Sequence, residues 1–120
     1  MRFILSFLFV VTVIPALKAQ TPASATSTTP AGNAQNGKKI FSNYGCYQCH
    51  GFEAQGGAGA RLAPRPIAFT AFSKYVRQPT GEMPPYTSRV VSDKELADIY
   101  AFLQSIPQPP PASSIPLLSK

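Results

Sequence analysis

Two cysteines and one histidine stand together in Cys46-Tyr47-Gln48-Cys49-His50, and they are the only Cys and His residues of the 120-residue chain. The pattern is C-x-x-C-H. At this spacing two thiols reach the two vinyl groups of one porphyrin and form thioethers, and the next residue's imidazole comes to lie under the iron. Cys46 and Cys49 are therefore the candidate points of covalent haem attachment, and His50 is the candidate axial ligand. Other chemistries ask for more than the chain contains. A structural zinc site takes four Cys or His ligands, and here there are three such residues. A thioredoxin-like dithiol sits in a βαβ setting, for which the sequence has no strands. A plain disulfide between positions three apart closes a very small loop and stabilises little. That disulfide and a chance match are the alternatives the motif alone leaves open.

A second axial ligand is found by elimination. With one histidine, a bis-histidine haem within one chain is excluded. Of the two methionines, Met1 belongs to an N-terminal export signal, which leaves Met83. It sits in Gly81-Glu82-Met83-Pro84-Pro85-Tyr86, a Pro-stiffened loop rather than a helix face. An isolated methionine is otherwise a packing residue. The setting and the position after His50 favour ligation, which would raise the potential and fill the sixth coordination site.

The elements that must position these residues read as short helices. A helix is expected over residues 36–44, with Ile40 and Phe41 apolar, and Gly45 then turns the chain into the motif. A second is expected between Ala68 and Arg77, with Phe69, Phe72 and Val76 on one side. The clearest begins at Ser92-Asp93-Lys94-Glu95, which has the form of a capping box. Leu96, Ile99, Leu103 and Ile106 follow at helical spacing, Phe102 lies beside them, and Pro107 ends the run. No apolar alternation suggests a sheet. Phe69, Phe72, Tyr75 and Tyr86 are candidates for the apolar walls a porphyrin requires.

The two ends have a different character. Arg2 followed by the apolar run of residues 3–16, with small residues before Ala19, reads as a signal peptide over residues 1–19. The alternative, an uncleaved anchor, is disfavoured by a run shorter than the roughly 20 residues a spanning helix needs. Residues 20–34 are small, polar and Pro-broken, and read as a disordered Ser/Thr/Pro/Ala linker. Residues 35–106 form the expected domain. Residues 107–120, opened by Pro107-Gln108-Pro109-Pro110-Pro111, read as a Pro-rich disordered tail.

In three stretches the chain resembles the class I (mitochondrial-type) monohaem cytochromes c, and among them the compact bacterial members. Gly37-Lys38-Lys39-Ile40-Phe41 precedes the haem motif, Gly81-Glu82-Met83-Pro84 looks like the methionine-ligand loop, and Ile99-Tyr100-Ala101-Phe102-Leu103 is similar to the last helix. The resemblance implies an all-α cytochrome c fold, three to four short helices wrapped around one covalently bound haem. It implies that Gly37 lets the first and last helices cross closely, with Phe41, Ile99 and Phe102 at the crossing and Leu103 nearer the haem. It also implies a carbonyl for His50 from the residue after Gly59. Here that residue is Ala60 where the family often has Pro; a backbone carbonyl survives that change, so the hydrogen bond to His50 can persist.

The charge is +6 overall, and removal of Arg2 and Lys18 with the signal lowers it to about +4. Lys38, Lys39, Arg61, Arg65, Lys74, Arg77 and Arg89 are scattered. They could steer an acidic partner, or be ordinary solvated surface, while Arg61, Arg65 or Arg77 could pair with haem propionates. No nucleic-acid motif is present. The function expected is one-electron transfer in the periplasm, without enzymatic activity, between partners such as a periplasmic dehydrogenase and a terminal oxidase, with no membrane span once the signal is removed. The alternatives are a cytochrome subunit of a dehydrogenase or oxidase complex, or a five-coordinate sensor or peroxidase if Met83 does not bind iron.

Overall fold

The computed structural model describes residues 29–117. The signal segment and the linker as far as residue 28 lie outside the described residues. Within them the chain forms α1 (Ala34–Asn43), α2 (Cys46–His50), α3 (Phe69–Arg77) and α4 (Asp93–Ser105), and no strand. The all-α fold expected from the sequence is thus the fold observed. No helix among the described residues is long and apolar enough to cross a membrane.

Helix α1 begins earlier than expected. Asn33, assigned from sequence to the linker, is its N-cap, and its side chain accepts the Asn36 N–H at 2.9 Å. A polar residue in a polar run does not declare itself as a cap, because capping depends on the turn that follows it. Helix α4 carries the capping box read from its sequence. The Ser92 hydroxyl accepts from Glu95 N–H at 3.3 Å, and the Glu95 carboxylate accepts from Ser92 N–H at 2.8 Å. The bond from Ser92 N–H, and then the one from the Ser92 hydroxyl at 2.8 Å, hold the Glu95 carboxyl below its ordinary range. The tail is not wholly irregular, since Ala112–Ser114 make one 3-10 turn.

The core forms where α1 crosses α4. Gly37 is buried at the crossing, and a Cβ there would land on the Asp98 carbonyl. Only a residue without a side chain lets the backbones approach this closely. Phe41 and Phe102 then meet with ring centroids 5.5 Å apart. Phe41, Leu96 and Leu103 are among the fully buried side chains, each contributing about 1.5–3 kcal/mol by leaving water. Helix α3 lies against this core through Phe72 and Val76, and Phe69 and Phe72 pack on Tyr100 at 5.2 and 5.3 Å. The Tyr100 hydroxyl donates to the Ile67 carbonyl at 2.9 Å. Tyr75 is 42% exposed, and its hydroxyl lies 3.8 Å from where a Cβ at Gly81 would stand, beside the loop that carries Met83.

One buried group was not foreseen. Asp98 is 1% exposed in the middle of the apolar face of α4. Its carboxylate accepts from Asn33 N–H at 2.7 Å, from the Asn36 amide at 2.8 Å and from Lys94 at 3.3 Å. The charge therefore sits at the N-terminus of α1, where free N–H groups and the helix dipole favour an anion. The bond from Asn33, seconded by Asn36, holds the Asp98 carboxyl below its ordinary value.

Candidate haem site

Helix α2 is a single short helix of five residues, CYQCH, and it carries the whole motif. Two glycines in left-handed backbone bracket it: Gly45 at φ 76° and Gly51 at φ 80°. They let the chain turn sharply in and out without the cost a β-carbon would add. Cys46 is half-buried, Cys49 is exposed, and both are free thiols. Burial pushes the Cys46 thiol up from its ordinary value, against hydrogen bonds from its own backbone and from Tyr86 that lower it.

The segment after α2 folds back to satisfy the carbonyls at its end. Gly59 N–H donates to the Cys49 carbonyl and Gly56 N–H to the His50 carbonyl, both at 2.8 Å. This return brings the Ala60 carbonyl 2.7 Å from His50 Nδ1. A carbonyl can only accept, so Nδ1 carries a proton, and in the neutral imidazole Nε2 then keeps its lone pair. The bond expected across the substitution to Ala60 is present. Gly59 lies against the ring itself: a Cβ there would be 2.8 Å from His50 Cε1 and 3.0 Å from Nδ1.

Met83 lies in the irregular connection between α3 and α4. It is half-buried and packs against the same core cluster that Cys46 and Tyr47 contact. Two contacts join its loop to the rest of the site. The Tyr86 hydroxyl donates to the Tyr44 carbonyl at 3.0 Å, at the end of α1 and beside the Cys46 thiol. Burial, and then the neighbouring Cys46, push the Tyr86 hydroxyl up from its ordinary value, so it remains a donor. Arg77 donates to the carbonyls of Tyr86 and Val91 and pairs with Asp93. Arg77 thus has three partners within the protein. Lys38 pairs with Glu53 at 2.8 Å, and Arg61 donates to the Gln55 carbonyl at 3.1 Å.

The structure therefore gathers Cys46, Cys49 and His50 on one turn of helix and brings Met83 to the same core. Among the described residues no three His, Cys, Asp or Glu side chains cluster as a protein-built metal site would need. The family model described as cytochrome c oxidase, cbb3-type, subunit III matches residues 32–103. The chain belongs to this family. The matched stretch runs from just before the α1 cap into the last turns of α4, and so takes in the whole site. Comparison with curated proteins and with solved structures returns no match.

As a class I-like monohaem cytochrome domain the chain binds one haem c covalently, with its iron, and serves electron transfer. The residues present fit this group. Two unbridged thiols stand at the attachment spacing, an imidazole presents Nε2, and Gly59 leaves the ring its room. The bound haem supplies a one-electron iron couple whose potential is tuned by axial ligands, burial and hydrogen bonding. Tyr86, Arg77 and Gly59 were not singled out for these roles from sequence. Their partners are nine to forty-two positions away, beyond any local pattern. Asp98 did carry a signal, a lone acidic residue within the apolar run Leu96-Ala97-Asp98-Ile99.

Proposed function

We propose that the chain is a periplasmic electron carrier in which Cys46 and Cys49 form the haem thioethers and His50 and Met83 are the axial ligands. The observation that carries the reading is the 2.7 Å contact between His50 Nδ1 and the Ala60 carbonyl. It sets the tautomer, orients the ring and raises the basicity of Nε2, the role such outer partners play for metal-bound histidines. With a thioether on the other side, both axial positions are filled. The protein then exchanges electrons through the haem edge and performs no bond chemistry on a substrate, so it is not an enzyme. Donor and acceptor are redox proteins such as a periplasmic dehydrogenase and a terminal oxidase, with no nucleic acid involved. Export by residues 1–19 delivers the chain to the compartment where c-type haem is attached.

The family description favours a second reading, a cytochrome subunit held within an oxidase or other redox complex. Expression with a c-type haem maturation system separates these readings. The carrier yields a soluble holoprotein, one haem heavier by mass, that titrates reversibly as a single one-electron couple. Recovery only with a membrane oxidase or dehydrogenase supports the subunit. Absence of covalent haem contradicts both.

A further inference from the structure

Residues 78–92 connect α3 to α4, carry Met83 and contain no regular element. Irregular connections longer than about 12–15 residues are uncommon in compact domains and are usually functional. The segment is held from two sides. Arg77, the last residue of α3, has a side chain only 18% exposed. Its Nη1 donates to the Tyr86 carbonyl at 2.8 Å and to the Val91 carbonyl at 2.6 Å, and its Nη2 reaches Asp93 at 2.7 Å. Tyr86 is fixed at three points. Its carbonyl takes the Arg77 bond, its N–H donates to the Val76 carbonyl at 3.0 Å, and its hydroxyl donates to the Tyr44 carbonyl at 3.0 Å. Met83 thus lies in a short span pinned at the end of α3 and again at Tyr86.

We propose that Arg77 and Tyr86 are positioning residues that keep the Met83 thioether at the iron. The inference rests on Met83 being an axial ligand. A tethered ligand competes with outside ligands through its effective concentration, which a stiff, short tether raises and a loose one lowers. Pinning Tyr86 removes the freedom of the loop's second half. The planar guanidinium serves two carbonyls and a carboxylate at once, a geometry lysine cannot reproduce. The Asp93 arm contributes little, because that carboxylate is 87% exposed and screened. The two carbonyls are the acceptors that matter.

The test is stopped-flow binding of imidazole to the oxidised holoprotein, which requires Met83 to leave. Tyr86→Phe removes only the hydroxyl and speeds imidazole capture severalfold. Arg77→Met speeds it about tenfold or more, as expected for loss of charge-assisted hydrogen bonds. Both weaken the far-red thioether–iron band while keeping one haem per chain. Arg77→Lys stays fast, and Asp93→Asn matches the wild type. Asn36→Ala removes a bond to Asp98 at the α1–α4 crossing and serves as the control for simple destabilisation, leaving the rate unchanged. Should Arg77→Met fail to fold, Tyr86→Phe decides alone. Wild-type rates in the folded variants, or equal acceleration in Asn36→Ala, overturn the clamp and leave the ligand assignment standing. A wild-type protein with no thioether–iron band overturns the ligand assignment and the clamp together.

Discussion

A histidine can offer iron either ring nitrogen, and at position 50 the backbone has already chosen. Nδ1 is committed to the Ala60 carbonyl, so Nε2 is the nitrogen left for a metal. Gly59 makes that choice possible, because any side chain there would push the ring aside. Gly59→Ala is expected to destabilise the holoprotein by about 1–3 kcal/mol through overpacking against His50, read by denaturant unfolding with the haem band as probe. Unchanged stability with an unchanged haem spectrum would mean the ring is not confined there. At this scale the sequence was most informative. C-x-x-C-H is a local pattern, and Ala60 followed from resemblance through a backbone atom that survives a change of side chain. Gly59 was visible as a residue, but its role depends on a ring nine positions away.

Among the helices, α4 was legible in full because its signals are consecutive: cap, capping-box glutamate, apolar spacing and terminating proline. Helix α1 was legible except for its start, since Asn33 gains meaning only from the turn beyond it. What joins the two helices was half legible. Gly37 came from resemblance, whereas Asp98 reaches sixty-two and sixty-five positions back to its partners on Asn36 and Asn33. The depressed Asp98 carboxyl predicts a pH dependence. An unfolded aspartate protonates near pH 3.9, while the folded one protonates lower. The carboxylate's stabilisation is therefore fully present above about pH 4 and is lost as pH falls through the folded value. Asp98→Asn should lower stability at neutral pH by about 1–3 kcal/mol and flatten the acid limb. Thermal unfolding between pH 2.5 and 7 measures it, and parallel acid limbs in both proteins would contradict the role given to Asp98.

Taken whole, the domain is small, and chains of this size commonly need a metal, disulfide or cofactor to hold a core. The core here is one helix crossing with α3 laid against it, and the attachment motif packs at its edge through Cys46 and Tyr47. Expressed without haem attachment, or as Cys46→Ser/Cys49→Ser, the chain should lose cooperative unfolding, whereas the holoprotein melts in one transition. A cooperative melt of the haem-free chain, followed by far-UV circular dichroism, would contradict haem as a structural part of the fold. His50 and Met83 on one iron are tested most directly by the far-red absorbance of the oxidised holoprotein beside that of Met83→Ala, with carbon monoxide then added to each in the reduced form. The expected result is a thioether–iron band in the wild type that vanishes in Met83→Ala, with rapid carbon monoxide binding only in the variant. A wild-type protein that lacks the band and takes up carbon monoxide at once has an open iron, and would be a sensor or peroxidase rather than an electron carrier.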